Sequence, residues 1–126
     1  MIMPRILVVD DELLIRDLLY DFFSSRNYEI ILAESGNKAL EILGTKNIDL
    51  VLTDIKMSDI DGLEMIRRAE TKKNGPPVII MTGFPSVETA IEALRLRVAD
   101  YIIKPFNINR LFESIESVLE ENLVVA

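Results

Sequence analysis

The chain has 126 residues, 49% of them hydrophobic and 28% charged, which fits one soluble globular domain burying roughly two-thirds of its unfolded surface. Fourteen Lys and Arg against 21 Asp and Glu leave a net charge of −7, which opposes a phosphate backbone and argues against direct nucleic-acid binding. There is no Cys and no His, which excludes disulfides, thiol nucleophiles, serine–histidine triads and the usual zinc sites; chemistry is left to carboxylates, hydroxyls, Lys, Arg or a metal held by oxygen.

Met1–Arg5 is too short for a signal peptide and no apolar run reaches membrane-spanning length, so the expected location is the cytoplasm, with no membrane partner. The first apolar run, Ile6–Val9, reads as a strand, and Leu14, Leu18 and Phe22 then repeat at helical spacing. Tyr28–Ala33 is a second strand; Ser35 caps a helix carrying Ala39, Leu40 and Leu43. Leu50–Leu52 is a third strand, and Asp61, with Glu64 at capping-box spacing, opens a helix bearing Leu63 and Ile66. Asn74-Gly-Pro-Pro77 breaks the chain before the fourth strand, Val78–Met81, and Ser86 caps a helix with Val87, Ala90, Ile91 and Leu94. Tyr101–Ile103 is the fifth strand, followed by an Asn107 cap and a helix through Ile108, Leu111, Phe112, Ile115 and Leu119. Apolar strands with little alternation, each followed by a helix, predict an α/β domain whose parallel sheet is covered on both faces. Residues 1–126 read as a single domain, about 4–121 its folded core and 122–126 a tail or the start of a linker.

In open sheets of this kind, ligands bind outside the carboxyl ends of the strands. The first strand is followed by Asp10 and Asp11, the third by Thr53 and Asp54, the fourth by Thr82 and the fifth by Lys104. The second ends at Ala33-Glu34, as an edge strand away from the site would. Each residue has an ordinary structural reading: Asp11 as a helix cap, Thr82 and Asp54 as turn residues, Lys104 as a surface lysine. Together they are complementary. Two carboxylates about 4 Å apart repel by roughly 4 kcal/mol at an effective dielectric near 20. A hard divalent cation removes that repulsion, and Mg²⁺ favours carboxylates, water and phosphate oxygens. One carboxylate then serves as nucleophile toward phosphorus, and Asp54, ending a central strand, is the candidate. Lys104 and Thr82 would stabilise charge on the phosphoryl oxygens, while Asp10 and Asp11 suit metal holding. Arg95 and Arg97 read as a solvated helix edge.

These residues resemble the receiver domains of bacterial two-component response regulators. The resemblance rests on Leu7-Val-Val-Asp-Asp11, Leu52-Thr-Asp-Ile-Lys-Met57, Asp61-Gly62, Ile79-Ile-Met-Thr-Gly83 and Asp100-Tyr-Ile-Ile-Lys-Pro-Phe106, and it covers essentially the whole chain. It implies a flavodoxin-like, five-stranded parallel sheet in the order 2-1-3-4-5 with five helices. It implies phosphorylation of Asp54 by a histidine kinase or phosphotransfer protein, a signalling rather than metabolic role. Mg²⁺ would be held by Asp11, Asp54 and the backbone carbonyl of Lys56, with Asp10 assisting through water. Thr82 and Tyr101 would act as the switch, altering the face of the fourth helix, fifth strand and fifth helix where an output domain or target docks, or where a phosphorylated homodimer forms. The resemblance also implies a cis Lys104–Pro105 bond. The stretch Met81–Leu94 is most similar to receivers of enhancer-binding transcriptional activators.

Three departures stand out. Ser58 replaces the usual Pro after Met57, which predicts a more mobile loop. Val98 stands where Gly is common, a poor fit if that backbone has a positive φ. Lys56 and Phe84, each two residues beyond a site residue, flank the path of the hydrolytic water in the family, and Phe84 is expected to screen the acyl phosphate. Three other functions compete with this reading. A haloacid-dehalogenase-like phosphohydrolase needs an acid where Lys56 stands, and a flavin or nucleotide carrier needs a Gly-rich loop where Asp10-Asp-Glu12 would repel phosphate. A degenerate receiver, kept only for protein contacts, would not need the intact acidic, hydroxyl and lysine positions.

Overall fold

A computed structural model describes residues 3–69 and 75–125. Five strands alternate with five helices: β1 (Arg5–Val9), α1 (Leu13–Ser24), β2 (Glu29–Ala33), α2 (Gly36–Thr45), β3 (Leu50–Thr53), α3 (Gly62–Ala69), β4 (Val78–Thr82), α4 (Val87–Arg95), β5 (Asp100–Ile103) and α5 (Ile108–Val125). All neighbouring strands are parallel, in the order β2-β1-β3-β4-β5, so the fold matches expectation. The break at 74–77 falls partly outside the described residues; Gly75–Pro77 lead into β4 without regular structure.

Successive strand residues point to opposite faces. Ile6, Val8, Leu50, Leu52, Ile79 and Met81 pack with Leu19, Phe23, Leu111 and Ile115 of α1 and α5. Leu7, Val9, Val51 and Ile80 pack with Ala39, Ile42, Leu63, Met65, Ile66 and Ala93 of α2, α3 and α4. Burial on both faces explains why these strands read as unbroken apolar runs.

The expected caps are in place. Ser35 Oγ accepts from Lys38 N at 3.1 Å, Asp61 Oδ1 from Glu64 N at 2.8 Å, Ser86 Oγ from Thr89 N at 3.0 Å, and Asn107 Oδ1 from Asn109 N at 2.9 Å. Two details differ from the sequence reading. The inward residues of α1 are Leu19 and Phe23, while Leu14 is 79% and Leu18 48% exposed; the apolar pattern ran on both sides of the true seam. The positive φ near the end of α4 belongs to Arg97, at 59°, not to Val98, whose side chain packs against the α2–α4 side of the core. Arg97 N donates to Leu94 O and Val98 N to Ala93 O, both at 3.1 Å, closing the helix end with a non-glycine left-handed residue. The helix α5 continues through Val125, into the segment read as a tail. The Lys104–Pro105 bond is cis.

Candidate functional site

Strand register assembles the site. Val9 lies opposite Thr53, so the next residues, Asp10 and Asp54, leave β1 and β3 side by side. Asp54 N donates to Val9 O at 2.9 Å, and Asp10 N donates to Ala33 O at 3.1 Å, which extends the ladder past both strand ends. On the other side Thr82 is paired with Ile103, and Lys104 N donates to Thr82 O at 2.8 Å. The chain therefore delivers two carboxylates, a hydroxyl and an ammonium to one edge of the sheet.

Asp10 and Thr82 are fully buried and Asp54 nearly so. Lys104 Nζ donates to Asp10 Oδ2 at 2.8 Å and to Asp54 Oδ2 at 2.9 Å, and lies 3.7 Å from Glu12 Oε1. The second oxygen of each aspartate is also engaged: Glu12 N donates to Asp10 Oδ1 at 2.9 Å and Ile55 N to Asp54 Oδ1 at 2.7 Å. Burial pushes the Asp10 carboxyl above its ordinary range, against the lowering effect of its bonds to Lys104 and Glu12 N. Burial works against the Lys104 ammonium too, but its bonds to Asp10 and then Asp54 outweigh this and hold its pKa above the usual lysine value. Arg16 Nη1 donates to Asp10 O at 2.7 Å, bracing the same turn from α1.

One oxygen from each of Asp10, Glu12 and Asp54 lies within 4.8 Å of the other two. Opposite ligands of a Mg²⁺ at about 2.0–2.1 Å are about 4.1 Å apart, so these oxygens would have to draw inward to share one such cation, and their all-oxygen chemistry fits it. That an ammonium already bridges the two buried carboxylates shows how strongly the site favours positive charge.

The structure thus brings Asp10, Asp54 and Lys104 into direct contact, with Thr82 on the adjacent strand end. Asp11 is exposed, and the acidic group that the structure brings together is Asp10, Glu12 and Asp54. The sequence places Glu12 at the start of the first helix and in a phosphate-repelling run, and its position two beyond Asp10 is the signal for its part in the acidic group. The Lys56 ammonium points away to the Phe84 ring, 4.6 Å from its centroid, and Phe84 is 66% exposed. Phe84 N donates to Thr82 Oγ1 at 3.1 Å. Tyr101 is half-buried; its hydroxyl shares a hydrogen bond with Thr89 Oγ1 at 2.9 Å, and Thr89 Oγ1 another with Ser86 Oγ at 2.9 Å, tying β5 to the first turn of α4.

A parallel five-stranded sheet with this acid, hydroxyl and lysine set at its carboxyl edge defines a phosphoacceptor domain of two-component signalling. The model of the response regulator receiver domain matches residues 6–116, and the chain belongs to that family. Among its relatives, the regulatory protein AtoC of Escherichia coli K12 is 40% identical over 107 residues, 85% of this chain and 23% of AtoC. The transcriptional regulatory protein ZraR of Salmonella typhimurium is 40% identical over 114 residues, 90% of this chain and 26% of ZraR. The chain therefore spans about a quarter of the length of these curated relatives. Of solved structures, the CheY-like receiver domain protein of Methanospirillum hungatei superposes with a TM-score of 0.95 at 31% identity, covering 98% of this chain and 99% of that one. The response regulator TrrA of Thermotoga maritima, solved in complex with Mg²⁺-BeF, superposes with a TM-score of 0.83 at 36% identity, covering 92% and 99%.

Proposed function

We propose that Asp54 is the residue of this receiver that accepts the phosphoryl group, with Thr82 and Lys104 as its catalytic partners. The observation that carries the reading is the Lys104 ammonium bound at once to Asp54 and Asp10, with the Thr82 hydroxyl buried at the neighbouring strand end. A carboxylate oxygen of Asp54 forms a bond to phosphorus as the bond from phosphorus to the donor's imidazole nitrogen breaks; the nitrogen leaves with the electron pair. Ile55 N and Lys104 hold the two Asp54 oxygens, so the nucleophile is oriented before the donor arrives. Lys104 then neutralises charge on the phosphoryl oxygens and the Thr82 hydroxyl donates to one of them.

Asp10, Asp11, Asp54 and the Lys56 carbonyl form the proposed Mg²⁺ set, and the geometry adds Glu12. The cation, when bound, supplies charge neutralisation between carboxylates and phosphoryl oxygens. The TrrA complex with Mg²⁺-BeF supports this reading by relationship.

The donor is a histidine kinase or phosphotransfer protein. Thr82 and Tyr101 form the switch, and Tyr101 reports through its bond to Thr89 at the start of α4. Val87, Ile91 and Leu94 of α4 and Ile103 of β5 are exposed and suit the docking of an output domain, a target or a second phosphorylated copy. The relatives named as transcriptional regulatory proteins support such an output and a cytoplasmic location. The test is incubation with Mg²⁺ and acetyl phosphate followed by mass measurement. The chain gains one phosphoryl group and Asp54→Asn gains none; rapid turnover of a phosphate ester would point to a hydrolase instead.

A further inference from the structure

The loop from β3 to α3 carries Lys56 and has no proline after Met57. It is nevertheless held at three points. Gly62 N donates to Ile55 O at 2.7 Å, closing the loop on itself. In its middle, Asp59 reaches across to another helix: its Oδ1 accepts from Gly36 N at 3.1 Å and its Oδ2 from Asn37 N at 2.8 Å. Beside it, Ile60 packs so closely on Gly36 that a β-carbon there would lie 2.5 Å from Ile60 Cγ1.

A helix start leaves N–H groups without internal partners. In α2, Ser35 takes the amide of Lys38, while the amides of Gly36 and Asn37 go to Asp59, 23 and 22 residues further along the chain. A carboxylate is well suited to that place, because it meets two donors and the positive end of the helix dipole together. The clamp therefore fixes the β3–α3 loop against α2 midway between Ile55 and Gly62, and the backbone of Lys56 lies inside the clamped stretch.

We propose that Asp59 is a positioning residue for the cation: it holds the loop so that the Lys56 carbonyl stays available to Mg²⁺. The proposal rests on the reading of Lys56 as a backbone ligand. Groups that orient metal ligands from behind affect affinity without touching the ion.

The experiment is calorimetric titration of the unphosphorylated chain with MgCl₂, with no phosphoryl donor present, for wild type, Asp59→Ala, Asp59→Asn and Ser35→Ala. Asp59→Ala should weaken Mg²⁺ binding roughly tenfold. Asp59→Asn, which keeps one acceptor oxygen, should fall between it and wild type. Ser35→Ala loosens the same helix start without touching the loop, and should bind Mg²⁺ as wild type does. Amide spectra should show the Gly36 and Asn37 resonances moving on Mg²⁺ addition in wild type and not in Asp59→Ala. Equal Mg²⁺ affinity in Asp59→Ala and Ser35→Ala overturns the proposal while leaving the phosphoacceptor reading intact. Absence of Mg²⁺ binding in wild type overturns both.

Discussion

Lys104 meets Asp54 at 2.9 Å across 50 residues of chain, and the same ammonium meets Asp10 at 2.8 Å. One cation thus bridges two carboxylates that are almost wholly buried and offsets half of their charge. Removing it leaves both without a counter-charge in a buried site, and breaking a buried pair costs about 3–5 kcal/mol. Lys104→Ala should therefore lower the urea midpoint strongly without Mg²⁺. Adding Mg²⁺ should recover more stability in the variant than it adds to wild type, because the ion no longer competes with the ammonium. An equal Mg²⁺ effect in both proteins would show that Lys104 and the metal do not share these carboxylates.

The helix α1 provides a test of packing. Leu19 is fully buried against the sheet, whereas Leu18, one residue earlier, is 48% exposed. Leu19→Ala removes buried atoms and leaves a cavity, which should cost about 2–5 kcal/mol. Leu18→Ala should change stability by about 0.5 kcal/mol or less, as surface substitutions do. Denaturant unfolding of the two variants separates them; similar losses would mean that the helix is rotated from the described seam.

The same helix shows what a sequence can and cannot reveal. Strands were legible because burial on both faces makes them unbroken apolar runs, and strand ends led straight to Asp10, Asp54, Thr82 and Lys104. The α1 seam was not, because Leu13, Leu14 and Leu18 are apolar yet exposed, so periodicity alone supported the wrong phase. The part of Glu12 in the acidic group was not legible from its spacing alone, because it depends on the turn that Asp10 makes with its amide. Asp59 gave no local signal at all: its partners lie on a helix 22 and 23 residues away, and only the fold brings them together. Asn27 and Arg97 adopt positive φ without being glycine, which no rule of residue preference would have singled out for Arg97.

Gly62 is the glycine whose replacement should be least tolerated. A β-carbon there would lie 2.1 Å from the Asp54 carbonyl oxygen, and backbone cannot yield as a side chain can. Gly62→Ala should cost about 1–3 kcal/mol, the usual range for overpacking, and should displace Asp54, the proposed phosphoacceptor. The expected signature is a lower melting temperature together with slower phosphorylation by acetyl phosphate. A variant as stable and as reactive as wild type would contradict the close approach.

Asp59 also predicts an acid limb. Its bonds from Asn37 N and then Gly36 N hold the carboxyl below its ordinary value of 3.8. A carboxyl depressed in the folded state stabilises the fold above its unfolded pKa, and that contribution fades as pH falls through the folded value. Asp59→Asn cannot titrate. The difference in stability between wild type and Asp59→Asn should thus be constant from neutrality down to about pH 5 and shrink below pH 4. A difference that grows on acidification has the wrong sign for this clamp.

Phe84 stands two residues beyond Thr82, its amide bound to the Thr82 hydroxyl oxygen and its ring 4.6 Å from the Lys56 ammonium. An exposed ring and a cation over its face gain about 0.5–1 kcal/mol from their contact. We propose that these two side chains flank the path of water to a phosphoryl group on Asp54, so that parting them lowers the barrier by about that amount. Phe84→Ala should then shorten the phosphorylated lifetime roughly two- to fivefold, since 1.36 kcal/mol is tenfold in rate. Lys56→Ala should move the lifetime in the same direction, and the double variant should add little to either single one, because each removes the same contact. The decay of the phosphorylated mass after donor removal measures all three. Unchanged decay in Phe84→Ala would mean that the ring does not screen the acyl phosphate, and fully additive effects would mean that the two side chains act apart.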